Sequence, residues 1–292
     1  MKIIGRFAVC IALFAAFACA VPLFAQDPPA WTKPFPPFRI AGNLYYVGSE
    51  DLASYLIATP NGLILINSSL EPSVPLIQKS VESLGFRFSD IKILLISHAH
   101  YDHCAGSARI VQLTGAKYYV MYEDAPVVES GGKTDFQYAE VLPWRYPSVH
   151  VDRILHAGGT VELGGTVLTA HLTAGHTKGT TTWTMDETEN GRVLHAVIVG
   201  SPNVNDGYKL IDNRTYPRIA ADYKHGFEVL KSLPCDLFLG AHGGYFGLTG
   251  KYARWKAGDQ DAFIDPAGYK AYIADRERAF DAELQRQSAQ KH

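Results

Sequence analysis

The chain has 292 residues, enough for one large domain with a sizeable core. Its formal net charge is −2 and no basic block stands out. That argues against nucleic acid as a partner, because phosphate binding wants a concentrated Lys/Arg surface.

Lys2 and Arg6 form a short basic start, and the next charge is Asp27. Ala18-Cys19-Ala20 fits a small-x-small cleavage site, and Leu23-Phe24-Ala25 is a second candidate. Residues 1–25 are therefore expected to be a signal peptide and 26–292 the mature domain. The uncharged run Phe7–Gln26 spans 20 residues and would also suit an uncleaved anchor, but Pro22 and the small residues around it favour cleavage. A periplasmic or secreted protein with no membrane attachment in its mature form is expected. Cys104 and Cys235 then remain of four cysteines, too few for a disulfide framework.

Residues 27–38 are rich in proline and aromatics and read as an extended arm. Trp31 and Phe35 either pack on the body or overhang a site. Strands are predicted at 43–48, 53–58 and 63–66, the last entered through the Asn61-Gly62 turn. Val74, Ile77, Val81 and Leu84 recur at helical spacing, with Gly85 as C-cap. The apolar run 91–96 reads as a buried strand, followed by a helix from about 105 to 113 and a strand at 117–121. The stretch 123–150 lacks periodicity and reads as a long loop with a short helix, a length more often functional than idle. From 151 to 200 the texture is β, with strands at 166–171, 181–185 and 193–199. A helix at 218–233, a buried strand at 237–239 and an amphipathic helix from Asp265-Pro266 complete one α/β domain.

His98-Ala99-His100-Tyr101-Asp102-His103 puts four potential metal ligands into six residues, where the strand 91–96 turns into a loop. Imidazole nitrogens and carboxylate oxygens are the donors that zinc prefers. Of the 11 histidines, two others share this setting past an apolar strand. His176 lies in Ala174-Gly175-His176-Thr177-Lys178-Gly179, and His242 precedes Gly243-Gly244. His171 reads as packed or as a support for the ligands. Cys104 adjoins the cluster, and a thiolate ligand and a small buried thiol are both open readings.

The H-x-H-x-D-H cluster, the G-H-T turn 73 residues after His103, and the histidine 66 residues further on resemble the metallo-β-lactamase superfamily. The resemblance implies a single-domain, four-layer αβ/βα sandwich with a dinuclear zinc site at one edge of two sheets. It implies that His98, His100 and His176 hold one ion, and Asp102, His103 and His242 a second. Within the superfamily, esterase-type members place an aspartate after the strand equivalent to 193–199, and two lactamase subclasses place a cysteine. Here Gly200 is followed by Ser201, which resembles subclass B3, as do Pro202-Asn203, Gly207-Tyr208 and Leu233-Pro234-Cys235-Asp236. This implies zinc-dependent hydrolysis of the β-lactam amide in penicillins, cephalosporins and carbapenems by a hydroxide bridging the two metals. Asp102 would orient that hydroxide, and Ser201 and Asn203 would bind the substrate carboxylate; turn chemistry is the other reading of that pair.

Three departures stand out: Asn67 in place of the usual aspartate beneath the site, Cys104 after the ligand cluster, and no C-terminal partner for Cys235. The rival function is a lactone or other ester hydrolase of the same fold. A more distant one is a non-catalytic protein using zinc only for stability.

Overall fold

The computed structural model describes residues 27–290, so the signal peptide expected at 1–25 lies outside the described residues. In the first half of the chain, short apolar strands joined by tight turns build one sheet. These are β1 (Phe38–Ala41), β2 (Leu44–Tyr46), β3 (Tyr55–Thr59) and β4 (Gly62–Ile66), paired antiparallel in order. Helix α1 (Val74–Ser83) then carries the chain over to β5 (Ile91–Leu95). The one-turn α2 (Tyr101–Cys104) and α3 (Ser107–Thr114) lead to β6 (Lys117–Met121), and α4 (Ala125–Glu129) with a long loop leads to β7 (Arg153–Leu155). Strands β4 to β7 run parallel, as crossovers of this length require.

The second half forms a five-stranded sheet. Strands β8 (Thr160–Leu163), β9 (Thr166–Leu172), β10 (Thr181–Glu189) and β11 (Arg192–Val199) are antiparallel neighbours. Helix α5 (Ile219–Ser232) returns the chain to β12 (Leu237–Gly240), parallel to β11. Two short helices, α6 (Gly243–Phe246) and α7 (Leu248–Lys256), precede the long α8 (Pro266–Ala289).

Side chains alternate across each strand, so β4 feeds two cores at once. Leu63 and Leu65 pack with Val74, Ile77, Val81 and Ile110 from α1 and α3, while Ile64 and Ile66 face the second sheet. There they meet Trp183, Ala196 and Ile198, in a core that continues to Tyr223 and Phe227 of α5 and to Ile273 and Phe280 of α8. The result is the four-layer helix–sheet–sheet–helix sandwich expected from the resemblance.

The two sheets are stitched together at one edge. Thr181 N donates to Ser97 O (2.7 Å), Ala53 N to Ala241 O (3.0 Å) and Gly243 N to Asp51 O (2.6 Å). The Trp183 indole donates to Ile96 O at 3.0 Å, and the Tyr55 hydroxyl to Gly240 O at 2.7 Å. Strands β5, β11 and β12 all end there. Among the described residues, no helix is long and apolar enough to cross a membrane.

Candidate metal centre

All six expected ligands meet at that stitched edge. His98 and His100 lie on the segment leaving β5, His100 in extended backbone, and α2 turns Asp102 and His103 back beside them. His176 comes from the turn between β9 and β10, and His242 from the end of β12. Ligand atoms of His98, His100 and His176 lie within 4.8 Å of one another, as do those of His98, Asp102 and His103. His242 Nε2 is 3.1 Å from His103 Nε2 and 3.5 Å from Asp102 Oδ2. Only Gly suits position 175: its φ is +136°, and a Cβ would meet the Tyr223 ring at 2.5 Å.

The site's electrostatics are those of a desolvated set of ligands. Burial, together with the neighbouring imidazoles, pushes His98 well below its ordinary range, and burial takes His100 to about 4. His176 is lowered in the same way. Burial alone would raise the Asp102 carboxyl, but His103 and His242 beside it hold it well below the usual carboxylate range. His242 is shifted the other way: against its burial, Tyr245, Asp102 and Asp51 hold it well above its ordinary range. A metal there would displace a proton, whereas His98, His100 and His176 are already in the neutral form that binds one. The Nε2 of His98 is buried without a hydrogen-bond partner and faces this cluster. The donor set therefore fits a metal cofactor, which would satisfy that atom.

Other side chains aim the ligands. His176 Nδ1 donates to Asn203 O (2.8 Å), and His242 Nδ1 to Asp51 Oδ2 (2.9 Å), leaving each Nε2 free to face the centre. Tyr208 donates to His176 O at 2.8 Å and its hydroxyl lies 3.4 Å from His100 Nε2. A cavity of about 390 Å³ opens over the cluster, walled by Trp31, Tyr101, Tyr138 and Trp144. Asn203 and Tyr245 also line it.

Four similarities bear on the architecture. Residues 52–195 match the family model of the metallo-beta-lactamase superfamily. The native FEZ-1 metallo-beta-lactamase from Legionella gormanii is 59% identical, covering 88% of this chain and 98% of that one at a TM-score of 0.87. This chain belongs to the metallo-beta-lactamase superfamily. BJP-1, a subclass B3 metallo-beta-lactamase of Bradyrhizobium japonicum, is 35% identical over 90% of this chain and 99% of its own, at a TM-score of 0.85. A UPF0173 metal-dependent hydrolase from Anaeromyxobacter dehalogenans is 24% identical over 131 residues, and the chain spans about 42% of that curated relative's length.

In this metallo-beta-lactamase family member, the other side chains raised by the sequence divide between the cavity wall and the interior. Ser201 is 1% exposed and does not line the cavity; its hydroxyl lies 3.1 Å from that of Tyr245, to which Asn203 Nδ2 also donates (2.8 Å). The arm divides its aromatics: Trp31 reaches the cavity and His242, with ring centroids 6.0 Å apart, whereas Phe35 packs on Tyr46 and Tyr252. His171 pairs with Thr184 on the sheet, at 2.9 Å, away from the ligands. Cys104 packs in the core beneath the first sheet, where burial pushes its thiol well above the ordinary range, so the buried-thiol reading holds. Asp51, Asp124, Tyr208 and Tyr245 were not singled out as site residues. Tyr245 and Tyr208 each carry a local signal, the first as an aromatic directly after His242-Gly243-Gly244 and the second in the Gly207-Tyr208 pair.

Proposed function

We propose that this protein is a dinuclear zinc β-lactamase, with His98, His100 and His176 holding one ion and Asp102, His103 and His242 the other. The observation that carries it is two convergent ligand sets under one cavity, with the neutral Ser201 where an ester-cleaving relative would bring a carboxylate. Bound zinc supplies a water acidified to near-neutral pH and Lewis-acid pull on the lactam carbonyl.

The chain's own residues do the rest. Asp102, ionised, would help hold one ion and orient the nucleophilic water. Asp51 and Asn203 fix the ring orientations of His242 and His176, so the ligand atoms do not reorganise during turnover. The Asn203 amide, backed by Tyr245, faces the substrate carboxylate, and Ser201 supports that contact from behind through Tyr245. Trp31, Tyr101, Tyr138 and Trp144 take up the apolar side chain of the drug and exclude water. An export leader at 1–25 fits this role, since a secreted hydrolase meets the drug before it reaches its target.

The test is hydrolysis of a penicillin and a carbapenem by the purified, zinc-loaded protein, with and without a chelator. Chelator-sensitive turnover of both is expected, and His98→Ala or Asp102→Ala should lower kcat by orders of magnitude with the fold intact. Two zinc ions bound without turnover of either drug would overturn the substrate assignment in favour of lactones or other esters.

A further inference from the structure

Asp124 is a buried carboxylate for which the chemistry above has no use. It follows β6 and is 1% exposed, and among the described residues no salt bridge reaches it. Burying a carboxylate is expensive unless donors replace its water. Three do so here. Oδ2 accepts from Ala99 N (2.9 Å) and from Thr177 Oγ1 (2.8 Å), and Oδ1 accepts from Gly179 N (2.8 Å).

The donors' positions give the arrangement its meaning. Ala99 lies between His98 and His100, on the loop leaving the first sheet. Thr177 and Gly179 closely follow His176, on the turn from the second sheet. One carboxylate thus joins the two loops that carry one set of three ligands. It is itself anchored: Asp124 N donates to Met121 O (2.9 Å), and its carbonyl accepts from Val127 N and Val128 N at the start of α4. The opposing turn leaves room for nothing else, because a Cβ at Gly179 would come within 2.6 Å of Asp124 Cγ.

We infer that Asp124 is a positioning residue for the His98–His100–His176 site, locking its two loops at the spacing that binds a metal. The inference rests on the ligand assignment proposed above. It is also site-selective. Asp124 accepts from no residue adjoining Asp102, His103 or His242; His242 is instead oriented by Asp51, and His103 O accepts from Ser68 N at 3.0 Å.

Cobalt(II) titration of the metal-free protein, followed by visible absorption and metal stoichiometry, tests it without reference to turnover. The near-isosteric Asp124→Asn turns an NH2 toward at least one of the three donors. One of two cobalt-binding steps should weaken by about tenfold to a hundredfold, while the other keeps its wild-type affinity. The circular dichroism of the metal-free variant should match wild type. Thr177→Val removes the hydroxyl bond to Asp124 along with a contact to Thr180 Oγ1 (2.8 Å) within the same turn, and should weaken the same step several-fold; it carries the test if Asp124→Asn does not fold. Unchanged affinities in the folded variants, or equal loss at both steps, would overturn the positioning role alone. A wild-type protein that takes up no cobalt would overturn the ligand assignment, and this inference with it.

Discussion

At the scale of single residues, Asn67 shows how a departure from family pattern is absorbed. It sits at the end of β4 with φ +65°, fully buried beneath the ligands. Its Oδ1 accepts from Ser97 N (2.7 Å), next to His98, and its Nδ2 donates to Ala53 O (3.1 Å). Ala53 N in turn donates to Ala241 O, next to His242. An aspartate could accept from Ser97 but would set a carboxylate oxygen against the Ala53 carbonyl. Asn67→Asp should therefore destabilise the protein by about 1–3 kcal/mol, the penalty for an unsatisfied buried polar group. Urea unfolding at neutral pH, read against wild type, checks this.

At the scale of elements, the long C-terminal helix depends on one side chain at its start. Asp265 accepts from Gly268 N at 2.8 Å as N-cap and faces the largely buried Lys251 Nζ at 3.0 Å. Asp265→Ala removes the cap, worth about 1 kcal/mol, and strands a buried ammonium. Asp265→Asn keeps the cap and loses only the charge pair. Thermal unfolding should rank wild type above Asn and Asn above Ala; equal melting of the two variants would show the cap to be idle. This helix was legible from Asp265-Pro266 and the apolar spacing of Tyr269, Ile273 and Phe280. Strands β4, β5, β11 and β12 were legible from apolar runs, because strands covered on both faces need little polar content. Strand β1, which overlaps the expected arm only at Phe38, and β7, with exposed Arg153 and Ile154, carry no such signal. Helix α6 begins on a glycine pair that reads as turn alone, and α7 follows it directly. The six expected ligands were legible because their residue types and spacing are rare. Asp51 and Asp124 were not, because nothing local distinguishes them from surface acids; the fold alone brings them to histidine loops 191 residues away in one case.

At the scale of the whole molecule, the interior between the sheets holds a second kind of tension. Glu187 on β10 is 3% exposed; one oxygen accepts from Asn43 N at 3.1 Å and the other is buried without a partner. Burial raises its carboxyl from 4.5 to about 7, with nearby Glu189 adding to the effect. The folded state therefore holds this proton more tightly than the unfolded chain does. Stability from this group is present below about 4.5 and is lost as pH rises through about 7. Glu187→Gln, neutral at every pH, should raise the melting midpoint at pH 8 by roughly 2–4 °C and have less effect at pH 5. Melting of both proteins across that range checks the sign.

The order of the strands carries a consequence for engineering. Each sheet is drawn from one contiguous half of the chain, β1 to β7 before residue 156 and β8 to β12 after residue 159. On the proposed assignment, the first half supplies two ligands to each metal and the second half supplies the third. A cut in the glycine loop at 156–159 thus yields two fragments, neither able to assemble either centre alone. Activity would return only when the fragments are brought together, which makes this loop the natural breakpoint for a split reporter of protein proximity.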